Sequence, residues 1–299
     1  MLVTSCAGDK TKNENQYADA YLINQPPLLA SRFNSLEDLK EVVGIEYEVT
    51  SDRNGVVKGS VVLSYGDIVS ELSTGVSQDD IIKVRDGNVF DGIKLVCNAP
   101  YAVRNRVDLN RIYKLARRRP IIFGEGDVAF YDLALSSVSK LNLDIVQNSS
   151  DRDTSEKGYI NTMNHIIAQA LITSMFSEEM ADFVADVHEL KNMSELVHGN
   201  FRREQLNDEN NNPVDNYVDM INNEIGQELG IKLKAKYAIT RDTEWTSELL
   251  TLYLNDIQYY VVQSLSLGSK PFVAVEMEMV KFSYKSNRIS KQLPYFADK

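Results

Sequence analysis

The 299-residue chain is poor in the residues that usually mark a chemistry. Two cysteines, Cys6 and Cys97, cannot build the disulfide framework of a small secreted domain. Only three histidines are present, and none stands in a His-Glu-x-x-His zinc signature. No stretch reaches the roughly 18–20 apolar residues that a membrane-spanning helix needs. No repeat of fixed period and no low-complexity tract appears. Positive charge is scarce, with a net charge of −11, which argues against nucleic acid as a partner because phosphate binding needs clustered Lys and Arg. The one basic run holds Lys114, Arg117, Arg118 and Arg119 and ends at Pro120. It closes a helical pattern, where the helix dipole favours cations. Gly124-Glu125-Gly126-Asp127 lacks the glycine spacing and the lysine of a phosphate loop and reads as a turn.

What is present starts with the N-terminus. Val3-Thr4-Ser5-Cys6 resembles the end of a bacterial lipobox, in which the cysteine is lipidated and becomes the mature first residue. The polar residues from Ala7 to Tyr17 that follow are like the tether of a surface lipoprotein. Only Met1 and Leu2 precede the box, so on this reading the native start is expected further upstream. The alternative is a chance run of small residues before a buried or idle thiol. The lipobox reading places the protein in the bacterial cell envelope or periplasm, lipid-anchored; the alternative leaves it cytoplasmic. Cys97, in Ile93-Lys94-Leu95-Val96-Cys97, is expected to be a small core residue.

The pattern along the chain predicts an α+β fold. Residues 1–35 read as a tether, 36–150 as an α+β domain and 151–299 as a helical domain. The polar segment Gln147 to Gly158 marks the boundary. Ile45, Tyr47 and Val49 alternate with Glu46, Glu48 and Thr50, a strand of period two. Asn54-Gly55 offers a hairpin turn into a second strand over Val56–Leu63. A short helix is expected at Asp67–Ser73 and a strand near Ile93–Cys97. Further helices are expected at Asp108–Arg118, Asp127–Leu141, 159–176, 178–191, 214–229 (stopped by Gly230) and 243–264. The tail from Pro271 fits either a strand or a helix that aligns Val275, Met279 and Phe282.

All three histidines, His165, His188 and His198, lie between residues 159 and 200. The 159–176 helix is apolar nearly all round, so His165 on its minor face, with Asn161, is expected to be buried and to need a partner or a metal. His188 borders an apolar arc of Phe183, Val184, Val187 and Leu190, with Asp182, Asp186 and Glu189 on the polar side. The bland reading is a solvated acidic face. In the 214–229 helix, Asp219 with Asn222 or Asn223 points polar groups at one place. Gly226 costs about 1 kcal/mol against alanine and fits close approach by another helix or a ligand.

These residues carry a resemblance. His165-Ile166-Ile167-Ala168-Gln169-Ala170-Leu171 is similar to the His-Ala-x-Trp-Asn-Ala-Leu helix of a bacterial family known only as a domain of unknown function. Asp186-Val187-His188-Glu189 resembles its Asp-Ala-His-Glu helix. Val218-Asp219-Met220-Ile221-Asn222-Asn223-Glu224-Ile225-Gly226 resembles its Met-Asp-x-x-Asn-Asn-x-x-Gly helix. Order and spacing agree over residues 159–230, while Ala168 and Gln169 replace the family's Trp and Asn. The resemblance implies that His165, Asp186, His188, Glu189, Asp219, Asn222 and Asn223 meet in a helical bundle. It implies a site without implying a reaction.

Three functions fit. The first is a non-enzymatic cell-surface binding protein whose polar cluster fixes the helices. The second is a metal-dependent hydrolase, with a divalent ion such as zinc on His165, His188 and Asp186 and with Glu189 sharing base and ligand duties. The third is a structural or assembly component. The lipobox reading has its own outcome. The full-length gene product is expected in detergent-extracted membranes, and Cys6→Ser should release it. Membrane association that survives the substitution counts against lipidation.

Overall fold

The structure is a computed structural model, and it describes residues 23–51, 57–86, 99–142 and 151–290. Cys6, Cys97, the Asn54-Gly55 turn and the strand expected at Ile93–Cys97 lie outside the described residues. A small antiparallel sheet in the N-terminal third precedes a helical C-terminal region, so the fold is α+β. Among the described residues no helix is long and apolar enough to cross a membrane.

Strands β1 (Gly44–Ser51), β2 (Val57–Tyr65) and β3 (Ile68–Ser73) form a meander. β1 and β2 pair from Gly44↔Ser64 to Ser51↔Val57. The helix expected at Asp67–Ser73 is instead β3. Gly66 at φ +58° allows the two-residue turn that closes the Tyr65↔Ile68 pair. Ile68, Ser70 and Leu72 then face inward while Val69, Glu71 and Ser73 face out. A ladder partner decided between two periods that a seven-residue window could not separate.

The helices in chain order are α1 (Leu36–Lys40), α2 (Gln78–Asp86), α3 (Pro100–Arg104), α4 (Arg106–Leu115), α5 (Pro120–Phe123), α6 (Phe130–Ser139), α7 (Asn161–Met175), α8 (Glu178–Asn192), α9 (Arg203–Leu206), α10 (Pro213–Lys236), α11 (Ser247–Ser264) and α12 (Met277–Ser290). A two-residue ladder, β4 (Leu141–Asn142) with β5 (Gly268–Ser269), ties the end of α6 to the end of α11. Ser177 caps α8 by accepting from the Met180 amide, Asn212 caps α10 and Thr246 caps α11, each satisfying an otherwise orphaned donor. The tail is helical, with Met279 and Phe282 fully buried, while Val275 lies exposed before the helix begins.

Helix α10 does not stop at Gly230 but runs on to Lys236. Gly226 and Gly230 lie one turn apart on the side facing α7. A methyl group on Gly226 would stand 2.8 Å from the Ile166 carbonyl oxygen, and one on Gly230 would stand 2.7 Å from that of Ala170. Both glycines therefore serve backbone contact between α7 and α10, not helix termination. The Tyr253 hydroxyl of α11 bonds the Ala170 carbonyl (2.7 Å) and the Ser174 hydroxyl (2.7 Å), which itself donates to Gly230 O.

Two expectations about organisation are corrected. The described part of the expected tether, from Ile23, is packed rather than loose: Leu28, Leu29, Ala30 and Ser31 are buried. Thr162 donates to Leu28 O, and Ser31 and Arg32 bind the buried carboxylate of Asp153. The two halves expected on either side of 147–158 share one apolar cluster, which joins Val61, Leu63 and Leu72 to Ile166, Ile221 and Phe282. Polarity along a segment reports where the chain meets water, not where a core ends.

Alanine at Gly226 or Gly230 would gain about 1 kcal/mol of helix propensity at an open site. Here the added methyl meets backbone, so Gly226→Ala and Gly230→Ala should each lower stability by about 1–3 kcal/mol in urea denaturation. Neutral or stabilising results would show that α7 and α10 are not in close contact.

Candidate functional site

The site grows from the α7–α10 contact. Residues four apart on one helix share a face. Asn161 and His165 on α7 meet Asp215, Asp219 and Asn223 on α10, Gln169 and Thr173 lie against Gly226 and Gly230, and α8 adds Glu189. Around His165, the Asn223 Oδ1 stands 2.8 Å from Nδ1, and the Asp219 Oδ2 stands 3.2 Å from Nε2. Asn161 Nδ2 donates to the other Asp219 oxygen at 2.7 Å. One turn earlier, Lys157 lies 3.3 Å from Asp215. Glu189 completes the cluster: ligand atoms of His165, Glu189 and Asp219 all lie within 4.8 Å of one another. Glu189 is 1% exposed, and neither of its carboxylate oxygens has a hydrogen-bond partner among the described residues.

The electrostatics follow from burial. Burial alone would make the His165 imidazole less basic, but the charge and hydrogen bond of Asp219, with the charge of Glu189 and the bond to Asn223, carry it from 6.5 up to about 10. Burial and then the charge of Asp219 hold the Glu189 carboxyl well above its ordinary value, with His165 only partly opposing them. Asp215 rises to about 6 through burial and then Asp219, with Lys157 opposing.

The expected residues do not all meet. His165, Glu189, Asp219 and Asn223 converge. Asn222 is fully buried but turns 100° away from Asn223, accepting from Leu28 N (3.0 Å) and donating to Leu28 O (2.8 Å). Asp186, expected as a metal ligand, lies a turn from Glu189 in a separate acidic group with Asp182, Glu224 and Glu71. There burial and then those charges push it up to about 8. His188, also expected as a ligand, is exposed beside α2, its Nδ1 3.4 Å from Gln78 Oε1. It neighbours Glu189 in sequence, but successive helical residues differ by 100°, so only one of the two can point into the bundle. His198 packs across Gly59 of β2. Sequence reading passed over Lys157, Asp215 and Gln227. The i, i+4 series from Asp215 to Gln227 was the signal that could have found the last two.

Among the described residues, surface cavities lie outside the cluster. One, of about 270 Å³, lies between the 26–33 segment and Leu265. Another, of about 530 Å³, lies between Arg118 and Met277. Comparisons with protein-family models, with curated proteins and with solved structures return no match.

The upward shifts fix a pH dependence. A group with a raised folded pKa keeps a proton that the unfolded chain releases, so its contribution is complete below the unfolded value and lost as pH rises to the folded one. For Glu224, raised to about 7 by burial and then Asp182, the window opens at 4.5. For Asp186 it runs from 3.8 to about 8, and for His165 from 6.5 to about 10. In chelator, the urea midpoint should therefore fall steadily from about pH 5 to about pH 9. His165→Gln should flatten the upper part of that slope. A midpoint that rises over the same range contradicts the arrangement.

Proposed function

We infer that this chain is a non-catalytic binding protein of the bacterial cell envelope, anchored through Cys6, in which the polar seam between α7, α8 and α10 fixes the helices as a rigid platform. One observation carries the reading: at the centre of the seam Asn161, His165, Asp219, Asn222 and Asn223 are turned on one another and on backbone. Both imidazole nitrogens of His165 face α10 side chains, and both amide atoms of Asn222 are bonded to Leu28. Asn161 is spent on Asp219. A buried network whose members satisfy one another specifies helix register. Binding draws support from an exposed apolar row on α12, where Met277, Val280 and Tyr284 follow i, i+3, i+7 spacing, with Ile121 and Ile122 of α5 beside Tyr284 through Arg288. Membership of the bacterial domain-of-unknown-function family is part of the same proposal. It is supported by the meeting of His165, Glu189, Asp219 and Asn223, which come from all three of its helix patterns.

Stability separates this reading from the hydrolase. Groups held for chemistry are kept at a cost in stability, and their removal commonly stabilises a protein. Groups held for architecture leave unsatisfied partners behind. In chelator, Asn222→Ala and His165→Gln are each expected to lower stability by about 1–3 kcal/mol. A rise in the denaturation midpoint of both variants would favour a catalytic seam.

A further inference from the structure

We propose that His165, Glu189 and Asp219 form a binding site for one divalent transition cation of the zinc type, which clamps α8 to the α7–α10 pair. The inference deepens the seam reading and rests on it. It starts from what each donor has left to give. Asn223 Oδ1, 2.8 Å from Nδ1 of His165, can accept only from a protonated Nδ1. That hydrogen bond directs the Nε2 lone pair toward Asp219, the outer-shell arrangement by which proteins orient a ligating histidine. Asn161 Nδ2 occupies one oxygen of Asp219 at 2.7 Å, leaving the other aimed at Nε2. Glu189 brings two oxygens that nothing else among the described residues engages. A lone pair and two carboxylates thus face one another out of water, and positive charge is needed between them.

Protons and a cation can both supply that charge, and Glu189 decides between them. A proton on Nε2 sits well in a bond to Asp219, 3.2 Å away. A proton on Glu189 would have no acceptor, since neither oxygen of this 1% exposed side chain has a partner. A dication uses those oxygens and balances two carboxylates with a neutral imidazole. The spacing of His165 and Asp219 suits it as well, with a Glu189 oxygen within 4.8 Å of both. With bonds of about 2.0–2.1 Å, two ligand atoms of a tetrahedral ion lie about 3.4 Å apart, against 3.2 Å between Nε2 and the Asp219 oxygen. One nitrogen with few oxygens fits zinc and its first-row neighbours, whereas calcium takes six to eight oxygens.

The test uses the full chain, purified without a metal-affinity tag, stripped with chelator and then titrated with zinc chloride. One zinc per chain should survive gel filtration, and the melting midpoint should climb with zinc concentration. Glu189→Gln and His165→Gln should abolish both effects, while His188→Ala and Asp186→Asn keep them. X-ray absorption of the zinc-loaded wild type, which does not depend on any variant folding, should show a single imidazole with oxygen neighbours. A wild type with less than a tenth of an equivalent of zinc and an unmoved midpoint overturns the proposal. So does undiminished binding by the Glu189 and His165 variants, or a shell with sulfur or several imidazoles. The stability comparison in chelator is a separate measurement: failure to bind zinc leaves the seam reading standing, and stabilising seam variants defeat that reading whatever zinc does.

Discussion

Helices α7 and α10 touch backbone to backbone, because Gly226 and Gly230 carry nothing that would hold them apart. At larger separations apolar side chains fill the gap between helices, and polar groups on the facing sides reach water. At this separation short side chains suffice to span the interface, so an Asn, an Asp and a His from the two helices meet directly. The contact also makes the 24-residue α10 the element on which the rest is laid. β3 and α8 pack along it, and Asn222 holds the Leu28 backbone across it.

Burying such a seam is costly unless its members satisfy one another. Most do so here, which pins the rotation and the axial register of α7 against α10 in a way an apolar interface would not. The molecule repeats the device at the far side of the core. Lys285 of α12 is fully buried, yet its ammonium donates to Arg117 O, Val128 O and Asp127, using all three of its hydrogens. Glu189 departs from this rule, being buried as deeply as its neighbours with both oxygens unpartnered. Gln169 Oε1, Thr173 Oγ1 and Gln227 Nε2 of the same seam also lack partners among the described residues, but Glu189 alone among these seam residues is an ionisable side chain with both of its oxygens left unpartnered.

The sheet was legible where alternation ran long enough to be unambiguous, as at Ile45 to Val49. It was misread at Ile68–Ser73, where six residues fit either period and only pairing with β2 decides. The apolar faces and caps of α7, α8 and α11 were legible because period and capping are local properties. Gly230 looked like a terminus since a glycine within a helix and a glycine after one are the same letter. The packed strap from Ile23 to Arg32 could not be foreseen, because what holds it, Asn222 and Asp153, lies more than a hundred residues away.

By itself the sequence determined the fold class and the three helices that bear the site, and it put His165, Glu189, Asp219 and Asn223 among seven candidates. The helices and their faces follow from spacing, which is fixed by the 3.6-residue turn, whereas Glu189 entered the candidate cluster through the family resemblance. Tertiary structure alone decided which polar residues of each helix face inward together. It left His188 outside, gave Asn222 to the strap and placed Glu189 in the seam. The physical reason is rotational. A helical pattern says which residues share a face, but the phase of that face against its neighbours is set by close contacts, here by two glycines and the backbone that lies over them.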